Sequence, residues 1–323
     1  MAKPVVFVDG ASGTTGLRIR ERLGARDDLE LFALPDDRRK DPAARRDALH
    51  SCDAAILCLP DDAAREAAAL AGDSRAVLID TSTAHRTAPG WTYGFAELEG
   101  GARRDAVRAS RRIANPGCHA SGFVALVEPL VRSGLLRLDA LGGGGALSCF
   151  SLTGYTGGGK KMIAQYESSR DERDPLLAAP RLYGLSQAHK HLPEMVAQCS
   201  LSAPPAFCPV VADFPCGMEV LVPLPANALR GGADAVAAVY RETYGDGPVV
   251  RFAGGAGESE GGFLSAAAMA SCDSMEISLH GGESGRLVAV ARFDNLGKGA
   301  SGAAIQNLNL ALGFPETAGL VLR

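Results

Sequence analysis

Short apolar runs alternate with amphipathic stretches through the first third of the chain. Residues 4–8 (PVVFV), 29–33 (LELFA), 54–59 (AAILCL) and 76–80 (AVLID) are continuous apolar segments of strand length. Such runs suit strands buried on both faces of a parallel sheet. Between them the pattern turns helical. One helix is expected from the turn at Gly10 to about Leu23. Another spans residues 61–72 (DDAAREAAALAG), with Asp61 and Asp62 at its start and Gly72 at its exit. Acidic residues suit a helix N-terminus and glycine suits its end. Strand and helix in alternation predict a parallel sheet wound with helices.

After about residue 140 the texture changes. Longer, more alternating runs appear at 218–224 (MEVLVPL), 249–253 (VVRFA), 275–279 (MEISL) and 286–293 (RLVAVARF). Glycine pairs such as Gly281-Gly282 separate some of them. This pattern predicts a mixed or antiparallel sheet crossed by a helix near 232–244. A domain boundary is expected close to Cys118.

A chain of 323 residues has room for about two domains. With 46% hydrophobic and 22% charged residues it reads as neither disordered nor fibrous. A net charge of −4 offers no global attraction to nucleic acid, so anions must be held by local clusters. No apolar run reaches membrane-spanning length. The expected partners therefore include neither nucleic acid nor membrane. None of the 8 cysteines forms a CxxC pair, and the N-terminus reads as a strand rather than an export signal. Reduced thiols and a cytoplasmic location are expected.

The segment Gly10-Ala-Ser-Gly-Thr-Thr-Gly16 follows the first strand and opens a helix. Glycines there let the backbone turn tightly against a pyrophosphate, and the helix start offers N–H groups to it. Gly10, Ser12, Gly13, Thr14, Thr15 and Gly16 are the candidate cofactor contacts. Past the second strand comes Pro35-Asp-Asp-Arg-Arg-Lys40. An acidic residue there would hold a ribose hydroxyl, whereas arginine suits a 2′-phosphate. Arg38 and Arg39 favour NADP; without a ligand the same cluster is a solvated charge run.

Cys118 follows Asn115-Pro-Gly117, and Phe123, Leu126, Val127 and Leu130 follow it at helical spacing despite Pro129. A cysteine at a helix N-terminus is biased toward the nucleophilic thiolate. Asn115 is a candidate donor to an oxyanion. His189 and His191 lie in a lead-in expected to be extended, before Pro193 in the first turn of another helix. Either histidine could exchange a proton with the thiol, with Glu194 orienting it. Two His and one Glu are thin for zinc, and no metal is expected. Cationic anchors for an anionic substrate are Arg86, just past a strand end, Arg112, before the cysteine turn, and Lys160, in the Gly-rich 156–161 segment.

GASGTTG at 10–16, NPGC at 115–118 and HKHLPEM at 189–195 together resemble the short form of the N-acetyl-gamma-glutamyl-phosphate reductase family. DTSTAHR at 80–86 and NLGKGASGAAIQNLN at 295–309 resemble it too, so the likeness spans essentially the whole chain. The resemblance implies an α/β fold like that of glyceraldehyde-3-phosphate dehydrogenase. A Rossmann-like parallel-sheet NADP domain would hold residues 1–117 plus 299–323. An α+β catalytic and oligomerisation domain with a mixed or antiparallel sheet would hold 118–298. The helix at about 299–312 would return to the cofactor domain. Ser82, Lys298, Gly299 and Asn307 would join the cofactor contacts. Cys118 would form a thioester with a small acyl phosphate, and His191 is the favoured acid–base group. A homo-oligomer, dimer or tetramer, is expected. His119 stands where many relatives are expected to carry Tyr, at a position not expected to touch the chemistry. The rivals are a sister enzyme for another acyl phosphate and a non-catalytic dinucleotide-binding regulator. The regulator would need neither Cys118 nor His191.

Overall fold

The first apolar run becomes β1 (Val5–Asp9), which is paired on both sides in a parallel sheet. The structure is a computed structural model and describes residues 2–10, 13–141, 146–169, 172–245, 247–255, 261–281 and 285–323. The chain divides into two units. Residues 1–96, 102–117 and 300–320 make the first.

The first unit also contains β2 (Glu30–Phe32), β3 (Ala54–Leu57), β4 (Val77–Asp80), β5 (Thr92–Tyr93) and β6 (Arg112–Ala114). The six strands run in the order β2-β1-β3-β4-β6-β5, all parallel. Its helices are α1 (Thr14–Gly24), α2 (Pro42–Ser51), α3 (Asp61–Ala71), α4 (Ala102–Ala109) and, from the end of the chain, α9 (Gly302–Leu312). Side chains of a strand alternate between faces. Val6, Val8, Ile56 and Ile79 pack with Ile19 and Leu23 of α1 and Ile305 and Leu308 of α9. Phe7, Ala55, Leu57 and Leu78 pack on the other face with Leu49 of α2 and Ala67 of α3. Each buried Leu or Ile contributes roughly 1.5–3 kcal/mol, so both helical layers are held mainly by apolar burial.

The second unit contains residues 97–101, 118–299 and 321–323. Its strands are β7 (Ser148–Gly154), β8 (Arg181–Leu182), β9 (Ala206–Ala212), β10 (Met218–Leu224), β11 (Val250–Phe252), β12 (Met275–Gly281) and β13 (Leu287–Phe293). They form one mixed sheet, β11-β12-β13-β10-β7-β9-β8. β10–β13 and β12–β13 are antiparallel and β7–β9 is parallel. Its helices are α5 (Cys118–Arg132), α6 (Gly159–Tyr166), α7 (Leu192–Gln198) and α8 (Ala233–Thr243). The Gly281-Gly282 pair falls partly outside the described residues.

Proline in a helix interior removes the N–H that would bond the carbonyl four residues earlier. Pro129 does so for Ala125, and α5 still runs through it. The Tyr244 hydroxyl donates to the Ala125 oxygen at 2.7 Å, and Tyr240 donates to Leu126 at 2.6 Å. The tyrosines that end α8 thus satisfy the carbonyls beside the break. Tyr244→Phe is expected to lower stability by about 1–3 kcal/mol, the cost of an unsatisfied buried carbonyl. Urea denaturation checks this; unchanged stability would mean that the carbonyl is satisfied another way.

Candidate active site

The turn after β1 is built for close approach of a ligand. Gly10 sits at φ +82°, and a Cβ there would come within 2.4 Å of the Cys58 carbonyl oxygen. Gly13 caps α1 without a side-chain hydrogen bond, and a Cβ on it would meet nothing within 4 Å. The Thr14 hydroxyl oxygen is buried with no partner among the described residues. Gly16 is buried and Thr15 is half-buried. Uncapped N–H groups, open space and an unsatisfied hydroxyl fit the pyrophosphate of a dinucleotide. Ser12 lies outside the described residues. Asp9 is buried and paired with Arg45 of α2 at 3.0 Å, while Arg45 also reaches Glu66 of α3 at 2.7 Å. Burial pushes the Asp9 carboxyl up, opposed by the Arg45 charge.

Arg38 and Arg39 follow β2 on an exposed turn. Their nearest carboxylates are Asp41 at 3.7 Å and Asp36 at 3.4 Å. Exposed pairs of this kind contribute about 0–1 kcal/mol, so they compete weakly with an incoming phosphate.

Beyond β4 most of the predicted contacts also hydrogen-bond within the fold. Asp80 is fully buried and accepts the Ser82 N–H at 2.9 Å and the Ser82 hydroxyl at 2.8 Å. It also meets His85 Nδ1 at 2.6 Å, and the His85 ring stacks on Trp91 at 4.0 Å. The Ser82 hydroxyl is therefore committed to Asp80. Arg86 is buried, and it donates to the carbonyls of Asn115 and Thr81. Asn115 was expected to face an oxyanion; its amide instead donates to the Ala300 carbonyl at 3.1 Å. Asn307 of α9 donates to Gly94 O at 2.9 Å and to Asn115 Oδ1 at 3.1 Å. Its own Oδ1 is buried without a partner among the described residues, and so can still accept from a ligand. Arg112 departs furthest from expectation. It opens β6, and its guanidinium donates to carbonyls of Gly72, Ala76 and Arg111. That is the amino end of the strands, whereas ligand sites of open parallel sheets lie at the carboxyl end.

The second unit assembles the thiol and imidazole groups. Cys118 is the first residue of α5 and is partly exposed. His119 is 3% exposed and hydrogen-bonds Ser151 Oγ through Nδ1 at 2.7 Å and the Tyr183 hydroxyl through Nε2 at 2.6 Å. Its ring centroid lies 5.5 Å from those of both His189 and His191. The two latter rings are 4.8 Å apart. Contrary to the sequence expectation, the residue after the cysteine joins the histidine cluster. Burial, with the nearby His189 and Lys190 charges, pushes His119 down to about 3, so it is neutral at physiological pH.

The lead-in to α7 is not extended. His191 has φ −88° and ψ −12°, a helical turn, with Pro193 in the first turn as predicted. The His191 N–H donates to His189 Nδ1 at 3.2 Å. Glu194 is buried in the first turn of α7. Lys298 was expected at the cofactor; it is 1% exposed and contacts both oxygens of Glu97 at 2.9 and 2.7 Å. Gly299 lies against the cysteine, where a Cβ would come within 3.0 Å of Cys118 Cβ. Lys160 is exposed on α6. Among the described residues no group of three or more His, Cys, Asp or Glu is placed to hold a metal, and no helix is long and apolar enough to cross a membrane.

Sequence reasoning missed Ser151, His119 and Tyr183. The available signal was the position of His119 one residue into the first turn of an apolar helix. Because its folded value lies far below the ordinary 6.5, protonation favours the unfolded chain. Stability is therefore highest above pH 6.5 and falls as pH drops toward 3. His119→Phe is expected to shrink the loss of melting temperature between pH 7 and 4.5. Parallel pH dependences in wild type and variant would contradict a buried neutral His119.

Residues 5–106 match the family described as semialdehyde dehydrogenase, NAD binding domain, and residues 118–295 match semialdehyde dehydrogenase, dimerisation domain. N-acetyl-gamma-glutamyl-phosphate reductase of Sinorhizobium medicae is 44% identical over 96% of this chain and 99% of its own. The protein of the same name from Brucella ovis is 46% identical over the same shares. Aspartate semialdehyde dehydrogenase II from Vibrio cholerae shares the fold, with a TM-score of 0.73 at 16% identity over 97% of this chain and 99% of that one. Aspartate semialdehyde dehydrogenase with NADP from Candida albicans does so with a TM-score of 0.61 at 13% identity, over 96% and 98%. By its matched domains and its full-length relatives, the chain belongs to the N-acetyl-gamma-glutamyl-phosphate reductase family of semialdehyde dehydrogenase-type oxidoreductases.

Proposed function

We propose that this chain reduces N-acetyl-γ-glutamyl phosphate to N-acetylglutamate 5-semialdehyde with NADPH, releasing phosphate through a thioester on Cys118. The carrying observation is Cys118 at the first residue of α5, next to a histidine whose ring touches both His189 and His191. The helix start stabilises the thiolate, which is the attacking form. The thiolate attacks the γ-carbonyl carbon; a C–S bond forms, and the carbonyl electrons move to oxygen. Their return breaks the bond to the phosphate oxygen, and phosphate leaves. When bound, NADPH supplies the hydride that turns the thioester into a thiohemiacetal. Collapse of that species breaks the C–S bond and returns the thiolate. His191 takes the thiol proton at the outset, with Glu194 stabilising its charge from the first turn of α7. A covalent intermediate divides one difficult displacement into two easier steps.

Arg38 and Arg39 support NADP over NAD, because weak surface pairs leave them able to meet a 2′-phosphate. Lys160, exposed on α6, is the cation proposed for the substrate anion. Asn307 Oδ1 and the Thr14 hydroxyl fit the cofactor. The chain works as a cytoplasmic homo-oligomer, a dimer or tetramer. Support comes from the outer face of the second sheet, where Phe150 is 44% and Leu182 51% exposed.

The reverse reaction tests this most simply. N-acetylglutamate semialdehyde, phosphate and NADP should yield NADPH absorbance, and Cys118→Ser should abolish it. Full activity in Cys118→Ser would sink the covalent route, and activity with aspartate semialdehyde alone would sink the substrate assignment. In the same assay Arg38→Ala with Arg39→Ala should raise the KM for NADP far more than for NAD; equal effects would remove the reason for choosing NADP.

A further inference from the structure

The steps above leave Ser151, His119 and Tyr183 without a role, although they form a hydrogen-bonded row that includes the residue next to Cys118. Ser151 Oγ is fully buried, and His119 Nδ1 at 2.7 Å is its partner among the described residues. A buried hydroxyl hydrogen needs an acceptor. A neutral imidazole has one accepting and one donating nitrogen. With Nδ1 accepting from Ser151, the ring proton sits on Nε2 and points at the Tyr183 oxygen, 2.6 Å away. The phenol oxygen is then an acceptor within the row, and its own hydrogen is directed out of it. The opposite assignment would bury the Ser151 hydrogen with no acceptor. A doubly protonated ring is excluded by burial, which pushes His119 down to about 3.

Tyr183 is half-buried. Burial and the charge of Cys118 push its hydroxyl up, so it stays protonated and lies within electrostatic reach of the thiolate. Its backbone is fixed where β8 ends, with the Tyr183 N–H donating to the Pro209 carbonyl at 3.0 Å.

We propose that Tyr183 donates its hydroxyl hydrogen bond to the oxygen of the tetrahedral species on Cys118, and that His119, held by Ser151, is the positioning residue that aims it. This deepens the reading of Cys118 as nucleophile and rests on it. A donor already oriented toward developing negative charge needs no reorganisation as the reaction proceeds. His119 makes no contact with substrate in this account; it acts through the phenol.

The test uses the reverse assay together with alkylation of Cys118 by iodoacetamide. Tyr183→Phe should lower kcat about 100-fold, the typical effect of losing one oxyanion donor, with little change in KM. The alkylation rate of Cys118 should match wild type, because thiolate formation precedes the step assisted. His119→Phe should reproduce the kcat loss. His119→Gln keeps an N–H toward Tyr183 and should recover most of it. The double variant Tyr183→Phe with His119→Phe should be no worse than Tyr183→Phe alone, since both remove one interaction. If Tyr183→Phe keeps wild-type kcat while Cys118→Ser is inactive, the proposal fails and the thioester reading stands. If Cys118→Ser is active, both fail. If the two losses multiply in the double variant, or His119→Gln is as impaired as His119→Phe, His119 does not position Tyr183.

Discussion

The start of α5 is the constraint on which the chemistry depends. Pro116 and Gly117 end what precedes it, and the helix begins with Cys118. From His119 to Leu130 every residue of α5 is buried. A helix enclosed in this way cannot rotate or shift register without moving polar groups into the core. Its first turn therefore holds the positive end of the helix dipole at one fixed place, and the thiol occupies that place. The same enclosure makes the Pro129 break expensive unless other groups intervene, and Tyr240 and Tyr244 bond the two carbonyls beside it.

Burial of α5 also explains the polarity of β7. An amphipathic strand would turn its apolar residues inward. In β7, Ser151 and Thr153 are buried while Phe150 is 44% exposed. The inward Ser151 meets His119, so a buried imidazole and a buried hydroxyl satisfy one another. Phe150 is left on the exposed face of the sheet. Local charge follows a similar logic in the first unit. Arg45 joins β1, α2 and α3 through Asp9 and Glu66, whereas Arg38 and Arg39 have only weak surface partners.

Much of this was legible in the sequence. Apolar runs located β1, β3, β4 and β10 because each is buried over most of its length. The Gly10–Gly16 turn, Cys118 at a helix start and Pro193 in the first turn of α7 all followed from local backbone chemistry. The missed elements lack that signal. β5 and β6 are two and three residues long. β7 reads with inverted polarity, and β9 carries Pro209 in its interior. α2 was legible in principle, since Asp41 caps it from just before Pro42. The pairing of Arg112, Asn115, Ser82 and Lys298 within the fold was not legible, for a common reason. Each polar side chain was read as facing a ligand, while in the fold it bonds backbone carbonyls or a carboxylate. Pairing of that kind joins residues far apart in sequence, as Lys298 and Glu97 show, and no local pattern announces it.

In the proposed mechanism Cys118 carries the acyl group. This is tested most directly by mixing the protein with N-acetylglutamate semialdehyde and NADP in the absence of phosphate. A stoichiometric burst of NADPH is expected, with an acyl adduct on the Cys118 peptide by mass spectrometry that is discharged when phosphate is added. No burst and an unmodified Cys118, with NADPH forming only after phosphate is supplied, would contradict it.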